Sequence, residues 1–211
     1  MGQGRNASDW HAVARAAKGF LPDDEGMALH RVALDCGMTG APLVEIGSYC
    51  GKSTVYLGAG ARQAGTVLFT VDHHRGSEEM QSGWEHHDPE VVDAQGRMDS
   101  LPFLRQTLAD AGLEQSVIPV VGASGTVARY WRTPVALVFI DGGHALELAM
   151  ADYDGWAPWI MPGGTLAIHD VFEDPAEGGQ APFEVWQRAC RDGFTPSGMT
   201  GSLRLLQRPT S

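Results

Sequence analysis

The chain has 211 residues, of which 43% are hydrophobic and 19% charged, and its formal net charge is −11. This length and composition are typical of one globular domain with a full core. The acidic balance argues against a nucleic-acid partner, because such affinity comes largely from Lys and Arg that neutralise phosphates. No apolar run approaches the ~20 residues of a membrane helix, and the N-terminal segment lacks the apolar core of a signal peptide. We therefore expect a cytoplasmic protein without membrane contact, with Cys36, Cys50 and Cys190 as reduced thiols.

The hydrophobic pattern predicts an N-terminal helical segment followed by strands and helices in alternation. Residues 10–37 have apolar side chains at helical spacing, and Gly37 is a plausible stop. The later strands are continuous apolar runs, which are typical of sheets covered on both faces. Alternation of such strands with helices predicts a Rossmann-like, doubly wound and mainly parallel α/β sheet. The predicted strands are 42–46, 66–71, 117–121, 134–140, 164–168 and 202–207, and the predicted helices between them are 52–62, 101–111, 124–131, 145–159 and 183–191.

One domain is expected to span residues 1–211, with helices in 1–40 and a long polar insertion at 73–100. Long loops in compact domains are often lids or binding loops, and this one contains histidines, a tryptophan and acidic side chains. We expect it to bind an acceptor molecule. Carboxylates bind hydroxyl groups and an aromatic face packs on a sugar ring. The predicted acceptor-binding residues are His73, His74, Glu78, Trp84 and Glu85.

The turn after the first predicted strand, Glu45-Ile46-Gly47-Ser48-Tyr49-Cys50-Gly51-Lys52-Ser53, suggests a bound cofactor. A P-loop needs four residues between its two glycines, and only three separate Gly47 from Gly51. A dinucleotide-binding turn needs a second glycine that is absent after Gly47. The turn therefore departs from both patterns, and ATP binding is the observation that would favour the first interpretation.

The same turn resembles the first motif of class I S-adenosylmethionine-dependent methyltransferases. In that family the glycine lets the backbone approach the methionine part of the cofactor, and an acidic residue after the second strand binds the ribose hydroxyls. Asp72 stands at that position, and a carboxylate suits both a vicinal diol and a cationic sulfonium. The resemblance implies S-adenosylmethionine as cofactor, and the residues that it assigns to the cofactor are Glu45, Gly47, Ser48, Ser53, Asp72, Ala123, Ser124 and Asp141.

The ends of the fourth and fifth predicted strands resemble those of metal-dependent O-methyltransferases. By position, Asp141, His169 and Asp170 match residues that hold a magnesium ion in that group. His169 is a departure, because the group usually has Asp there and Mg²⁺ prefers oxygen ligands. Either His169 is not a ligand, or the metal differs from Mg²⁺, or it binds weakly.

His144 follows Asp141 by three residues, where the catechol-type members of the group have a lysine base. A histidine has a pKa near neutrality and suits proton removal from an acceptor hydroxyl. The resemblance therefore implies catalytic roles for His144 and Asp141. The alternative for His144 is a local hydrogen bond at the start of a helix.

The overall pattern is similar to the methyltransferase 24 group, which includes macrocin-type sugar O-methyltransferases. The insertion is also similar to that of 1-O-methyltransferases of methylmannose polysaccharide synthesis, which implies a mannoside or other oligosaccharide acceptor and a homodimer. The His73-His74 and His86-His87 pairs could instead contribute to a second metal site, although metal sites need several convergent ligands. Metal-independent methylation of a small molecule and a non-enzymatic, cofactor-binding role are the remaining alternatives.

Overall fold

The structure, a computed structural model, describes residues 9–77, 88–143 and 145–210. The described residues form a seven-stranded sheet with strand order β3-β2-β1-β4-β5-β7-β6. Strands β1 to β5 pair in parallel, whereas β7 is antiparallel to both β5 and β6. The strands are β1 Leu43–Ile46, β2 Leu68–Asp72, β3 Val117–Val121, β4 Val135–Ile140, β5 Ile160–Ile168, β6 Thr195–Thr200 and β7 Leu203–Gln207.

Helices flank the sheet and alternate with the parallel strands, as predicted for a doubly wound α/β fold. A 3₁₀ turn, Ala157–Trp159, leads into β5. None of the helices in the described ranges is long and apolar enough to cross a membrane. The α-helices are α1 Trp10–Ala16, α2 Asp23–Gly37, α3 Lys52–Ala64, α4 Leu101–Asp110, α5 Ser124–Tyr130, α6 Leu146–Trp156 and α7 Ala181–Arg191.

The predicted N-terminal helical segment, residues 10–37, consists of two helices separated by residues 17–22. Gly19 has a φ of +148°, a conformation that L side chains rarely adopt, and Pro22 immediately precedes α2. Proline disfavours helical geometry in the residue before it, so the helical conformation is interrupted between Ala16 and Asp23. This break places a short loop, 17–22, beside the carboxyl ends of the parallel strands.

Strand β6 was not predicted, because Thr195–Thr200 has neither an apolar run nor an alternating pattern. It is an exposed edge strand whose ladder is formed with β7 alone among the described residues. Strand β5 also begins at Ile160, four residues before the predicted start at residue 164. Pairing with β7 holds β6 in place, and pairing of Ile160 with Val135 of β4 extends β5 toward its N-terminus.

The sheet separates two apolar cores, which explains the continuous apolar strands. Leu43 packs in the core beneath α2, α3 and α4, while its neighbour Val44 packs in the core beneath α5, α6 and α7. Strand order reverses between β1 and β4, so a crevice opens at the carboxyl ends of these neighbours. The functional candidates are expected at that edge.

The described parts of the insertion are attached at its base. The Lys18 ammonium donates to Asp88 at 2.5 Å and to Glu90 at 2.7 Å. Val91 and Met98 form a small apolar cluster with Cys50, from the turn after β1. The later part of the insertion, residues 88–98, therefore lies against the loop between α1 and α2 and against the turn that was predicted to bind the cofactor.

Candidate functional site

The turn after β1 lies against the turn after β4. Gly47 has a φ of +87°, and a Cβ at this position would collide with the carbonyl oxygen of Asp141. Glycine is therefore required both by the backbone conformation and by the close approach. The contact places the predicted cofactor turn directly beside the first predicted metal ligand.

Asp72 ends β2 and points its carboxylate into the turn after β1. The backbone N–H groups of Ser48 and Tyr49 each donate to Oδ2 at 3.0 Å, and the N–H of His74 donates to Oδ1 at 2.7 Å. The carboxylate is only partly buried, so it keeps a solvent-facing side. The structure thus brings Asp72, Gly47 and Ser48 together, and their contact with a cofactor stays a prediction.

Glu45, by contrast, is fully buried beneath this turn. Ser53 donates to one carboxylate oxygen at 2.6 Å and Thr54 to the other at 2.7 Å. Burial raises the pKa of Glu45 to about 7, although the hydroxyl hydrogen bonds oppose this shift. The two predicted cofactor residues Glu45 and Ser53 therefore bind each other, and their contact with a cofactor stays a prediction.

Ala123 and Ser124 start helix α5 next to the end of β2. The N–H of Gly122 donates to the Asp72 carbonyl at 3.0 Å, which brings the β3 end to the same edge. The Ser124 hydroxyl accepts a hydrogen bond from the indole N–H of Trp156 at 2.8 Å. The side chain is therefore already engaged, and the adenine contact predicted for this pair stays a prediction.

On the other side of the crevice, Asp141, His169 and Asp170 converge. Each offers one ligand atom, and these atoms all lie within 4.8 Å of one another. Nδ1 of His169 is 3.1 Å from Oδ1 of Asp141 and 3.4 Å from Oδ1 of Asp170. Asp170 has a φ of +54°, a left-handed conformation that Asp tolerates better than most residues. The donor set of two carboxylates and one imidazole is suited to a divalent cation.

Glu25, from helix α2, is a further member of this cluster that sequence reasoning missed. Its Oε2 lies 2.6 Å from Nε2 of His169, and its Oε1 accepts from the N–H of Ser202 at 2.7 Å. Glu25 and His169 are 144 residues apart, and an acidic residue in the first turn of a helix, after Asp23 and Asp24, carries no sequence signal of a site. Its burial, at 3% exposure, is the feature that only the structure reveals.

The electrostatics of the cluster favour positive charge on or beside His169. Burial lowers the pKa of His169, but the carboxylates of Asp141, Asp170 and Glu25 outweigh this effect and raise it to about 12. Burial likewise opposes ionisation of Glu25, yet its pKa is lowered because His169 and Ser202 bind the charged form. Three acidic side chains around one imidazole thus create a site that attracts a proton or a cation.

The two histidines after Asp72 differ in their surroundings. His73 is exposed, and its Nδ1 accepts from the N–H of Arg75 at 3.0 Å. His74 is 2% exposed, and its Nδ1 lies 2.8 Å from the Ser100 hydroxyl. His74 thus connects the two ends of the insertion, and acceptor binding by this pair stays a prediction. The predicted base, His144, lies outside the described residues. So do the other predicted acceptor-binding residues, which are Glu78, Trp84 and Glu85.

A groove of about 740 Å³ is lined by Glu25, His169 and Asp170 of this cluster. The loop between α1 and α2 lines one side with Phe20, whose side chain is stacked on Tyr49 at a centroid distance of 6.1 Å. The loop after β5 lines the other side with the exposed carboxylates of Glu173, Asp174 and Glu177. The groove therefore combines an aromatic surface with several hydrogen-bond acceptors.

Comparison with solved structures places this fold among methyltransferases. An O-methyltransferase from Bacillus cereus, solved in complex with SAH, is 16% identical and has a TM-score of 0.62, with 94% of this chain and 87% of that chain covered. The O-methyltransferase NovP is 14% identical with a TM-score of 0.67, covering 89% and 80%. Cofactor-bound Rv0187 from MTB is 18% identical with a TM-score of 0.63, covering 99% and 100%. At these identities the similarity shows the fold alone.

A family model described as a methyltransferase domain, that of methyltransferase group 24, matches residues 44–171. The match begins in β1 and ends just after β5, so it contains Gly47, Asp72, Asp141, His169 and Asp170. Glu25 and the groove-lining Phe20 lie before it. Since the match covers more than half of the 211 residues, the chain belongs to this methyltransferase family.

Proposed function

We propose that this protein is an S-adenosylmethionine-dependent O-methyltransferase that acts on a hydroxyl group with the help of a divalent metal. The observation that supports it most is the contact between Gly47 and Asp141. It sets the predicted cofactor turn against the candidate metal ligands at one sheet edge. A methyl donor and a hydroxyl acceptor held in these two places would be close enough for direct transfer.

On the cofactor side, we propose that Asp72 accepts hydrogen bonds from the ribose hydroxyls. Its carboxylate already accepts from the backbone of Ser48 and Tyr49, so its position is held before any ligand binds. The hydroxyl of Ser48 is buried and has no hydrogen-bond partner among the described residues. A polar group left unpaired in the turn is consistent with a ligand that completes its hydrogen bonding.

On the acceptor side, we propose that Asp141, His169 and Asp170 hold the metal. A divalent cation bound there would act as a Lewis acid toward the acceptor hydroxyl. His144, three residues after Asp141, is proposed to remove the hydroxyl proton as general base. The imidazole suits that role because its ordinary pKa is close to neutral pH.

The acceptor is proposed to be a sugar or oligosaccharide, with the 1-hydroxyl of a mannoside as the narrowest form of this hypothesis. The groove supports a polyol because Glu173, Asp174 and Glu177 offer hydrogen-bond acceptors, while Phe20 offers an apolar face. The proposed contribution of Glu78, Trp84 and Glu85 is of the same kind. A homodimer and a cytoplasmic location stay predictions.

A methyl-transfer assay with radiolabelled S-adenosylmethionine tests the proposal. Mannosides, other polyols, catechols and small carboxylates would be offered as acceptors, with and without EDTA. Transfer to a polyol that EDTA abolishes, and that added divalent metal restores, is the expected result. Transfer that survives EDTA would support the metal-independent alternative. No transfer by a protein that still binds SAH would favour a non-enzymatic cofactor-binding role.

A further inference from the structure

Glu25 joins three distant parts of the chain at the candidate metal cluster. It belongs to α2, contacts His169 after β5, and accepts hydrogen bonds from Ser202 in the turn between β6 and β7. Gly201 makes this approach possible, because a Cβ at that position would collide with the Glu25 carboxylate. The carboxylate is therefore held from two sides and cannot leave His169 without opening the turn.

This contact decides which nitrogen of His169 faces the other carboxylates. Glu25 lies 2.6 Å from Nε2, so Nε2 donates its proton to Glu25, while Nδ1 points toward Asp141 and Asp170, where a divalent ion would replace the Nδ1 proton. Metal-binding histidines commonly donate their second N–H to a carboxylate in this manner, which fixes the ring and makes it a better ligand. Both side chains of the Glu25–His169 pair are only 4% exposed, so water competes little for either of them.

We propose that Glu25 is a positioning residue that presents Nδ1 of His169 as a metal ligand, so that the site prefers a transition-metal ion such as Co²⁺ over Mg²⁺. The inference rests on the metal-assisted part of the proposed function. Mg²⁺ demands hard oxygen ligands, whereas imidazole suits first-row transition metals. One nitrogen and two carboxylates, from His169, Asp141 and Asp170, therefore bind Mg²⁺ less well than three carboxylates would.

Direct metal titration of the full chain tests the proposal without any acceptor. Co²⁺ binding is followed by its visible absorption, which reports nitrogen ligation, and Mg²⁺ affinity is obtained by competition. Glu25→Gln keeps the size of the side chain but removes its charge, and is expected to weaken Co²⁺ binding about 10- to 100-fold. Asp24→Asn is the matched control, since it removes one charge from an exposed neighbour in the same turn of α2 and leaves Co²⁺ affinity unchanged.

His169→Asp provides the second arm. It converts the donor set to three carboxylates and is expected to lower the ratio of Co²⁺ to Mg²⁺ affinity by about tenfold or more. If Glu25→Gln fails to fold, Glu25→Asp keeps the charge but withdraws it from Nε2, and an intermediate loss of Co²⁺ affinity is expected.

Two results would overturn the proposal. An unchanged affinity ratio in His169→Asp, or unchanged Co²⁺ affinity in both Glu25 variants, would exclude this role of the Glu25–His169 pair while leaving metal assistance intact. A folded parent that binds no divalent ion would remove the metal-assisted part as well. SAH calorimetry on the same sample then shows whether the cofactor part of the proposed function survives.

Discussion

The two sides of the crevice are built in different ways. The cofactor side consists of backbone turns that directly follow β1 and β2, and Asp72 contacts residues only 2 to 24 positions away. The acceptor side is assembled from side chains, and Glu25 reaches His169 and Ser202 across 144 and 177 positions. One side thus depends on local chain geometry and the other on the packing of α2 against the sheet.

The two sides also differ in charge. On the cofactor side, backbone N–H groups and hydroxyls satisfy the carboxylates of Asp72 and Glu45. On the acceptor side, three carboxylates surround one imidazole. In the first arrangement the carboxylates are paired while the Ser48 hydroxyl is not, which suits a ligand bound by hydrogen bonds. The second is short of positive charge, which explains why a cation is the expected occupant.

The largest expected effect separates the two sides directly. Asp72→Ala removes a charged acceptor of several hydrogen bonds and is expected to weaken SAH binding by about 4 kcal/mol, on the order of 1,000-fold. Asp170→Asn, on the acceptor side, is expected to leave SAH affinity within about threefold, because Asp170 is partly exposed and a single charge at a distance from the cofactor turn is largely screened. Isothermal titration calorimetry of both variants measures the difference. Equal losses would mean that the two sides do not act as separate sites.

The next effect concerns the contact between the two sides. Gly47→Ala combines a strained φ with a collision at the Asp141 carbonyl, so we expect a loss of about 3 kcal/mol in the free energy of unfolding. Gly65→Ala is the control, since Gly65 has a similar φ of +79° with no atom near its added Cβ. Backbone strain alone should lower the free energy of unfolding of Gly65→Ala by about 1 kcal/mol. Urea denaturation measures the free energy of unfolding of both variants. Similar losses of stability in the two would argue against a tight Gly47–Asp141 contact.

The smallest effect is a pH dependence within the cofactor side. The pKa of Glu45 rises from 4.5 unfolded to about 7 folded, so the folded protein holds a proton that the unfolded chain releases. Its contribution is therefore fully present below pH 4.5 and is lost as the pH rises through 7, by about 2 kcal/mol between pH 5 and 7. Glu45→Gln should flatten this dependence of stability on pH, because an amide does not titrate. The variant should still fold, since Ser53 and Thr54 can rotate their hydroxyls toward the amide. Identical pH profiles of unfolding for the parent and Glu45→Gln would contradict the shift.

The accuracy of the sequence-based predictions follows the same division. The parallel strands β1 to β4 were predicted close to their observed bounds, because strands buried on both faces form continuous apolar runs. Strand β6 was missed, because an exposed edge strand needs no apolar residues when its pairing with β7 holds it. The break at 17–22 was also missed, although Gly19 and Pro22 were a visible signal of it.

The sequence by itself determined the fold class and the residues at the strand ends, among them Gly47, Asp72, Asp141 and Asp170. Local geometry is sufficient to predict these residues, because the carboxyl ends of parallel strands share one edge of the sheet and a glycine in a tight turn is visible in the sequence. Only the tertiary structure decided that Glu45 is buried beneath the turn and that Glu25 holds His169. Both depend on which buried polar groups meet after the helices pack, and no spacing along the chain encodes a contact across 144 residues.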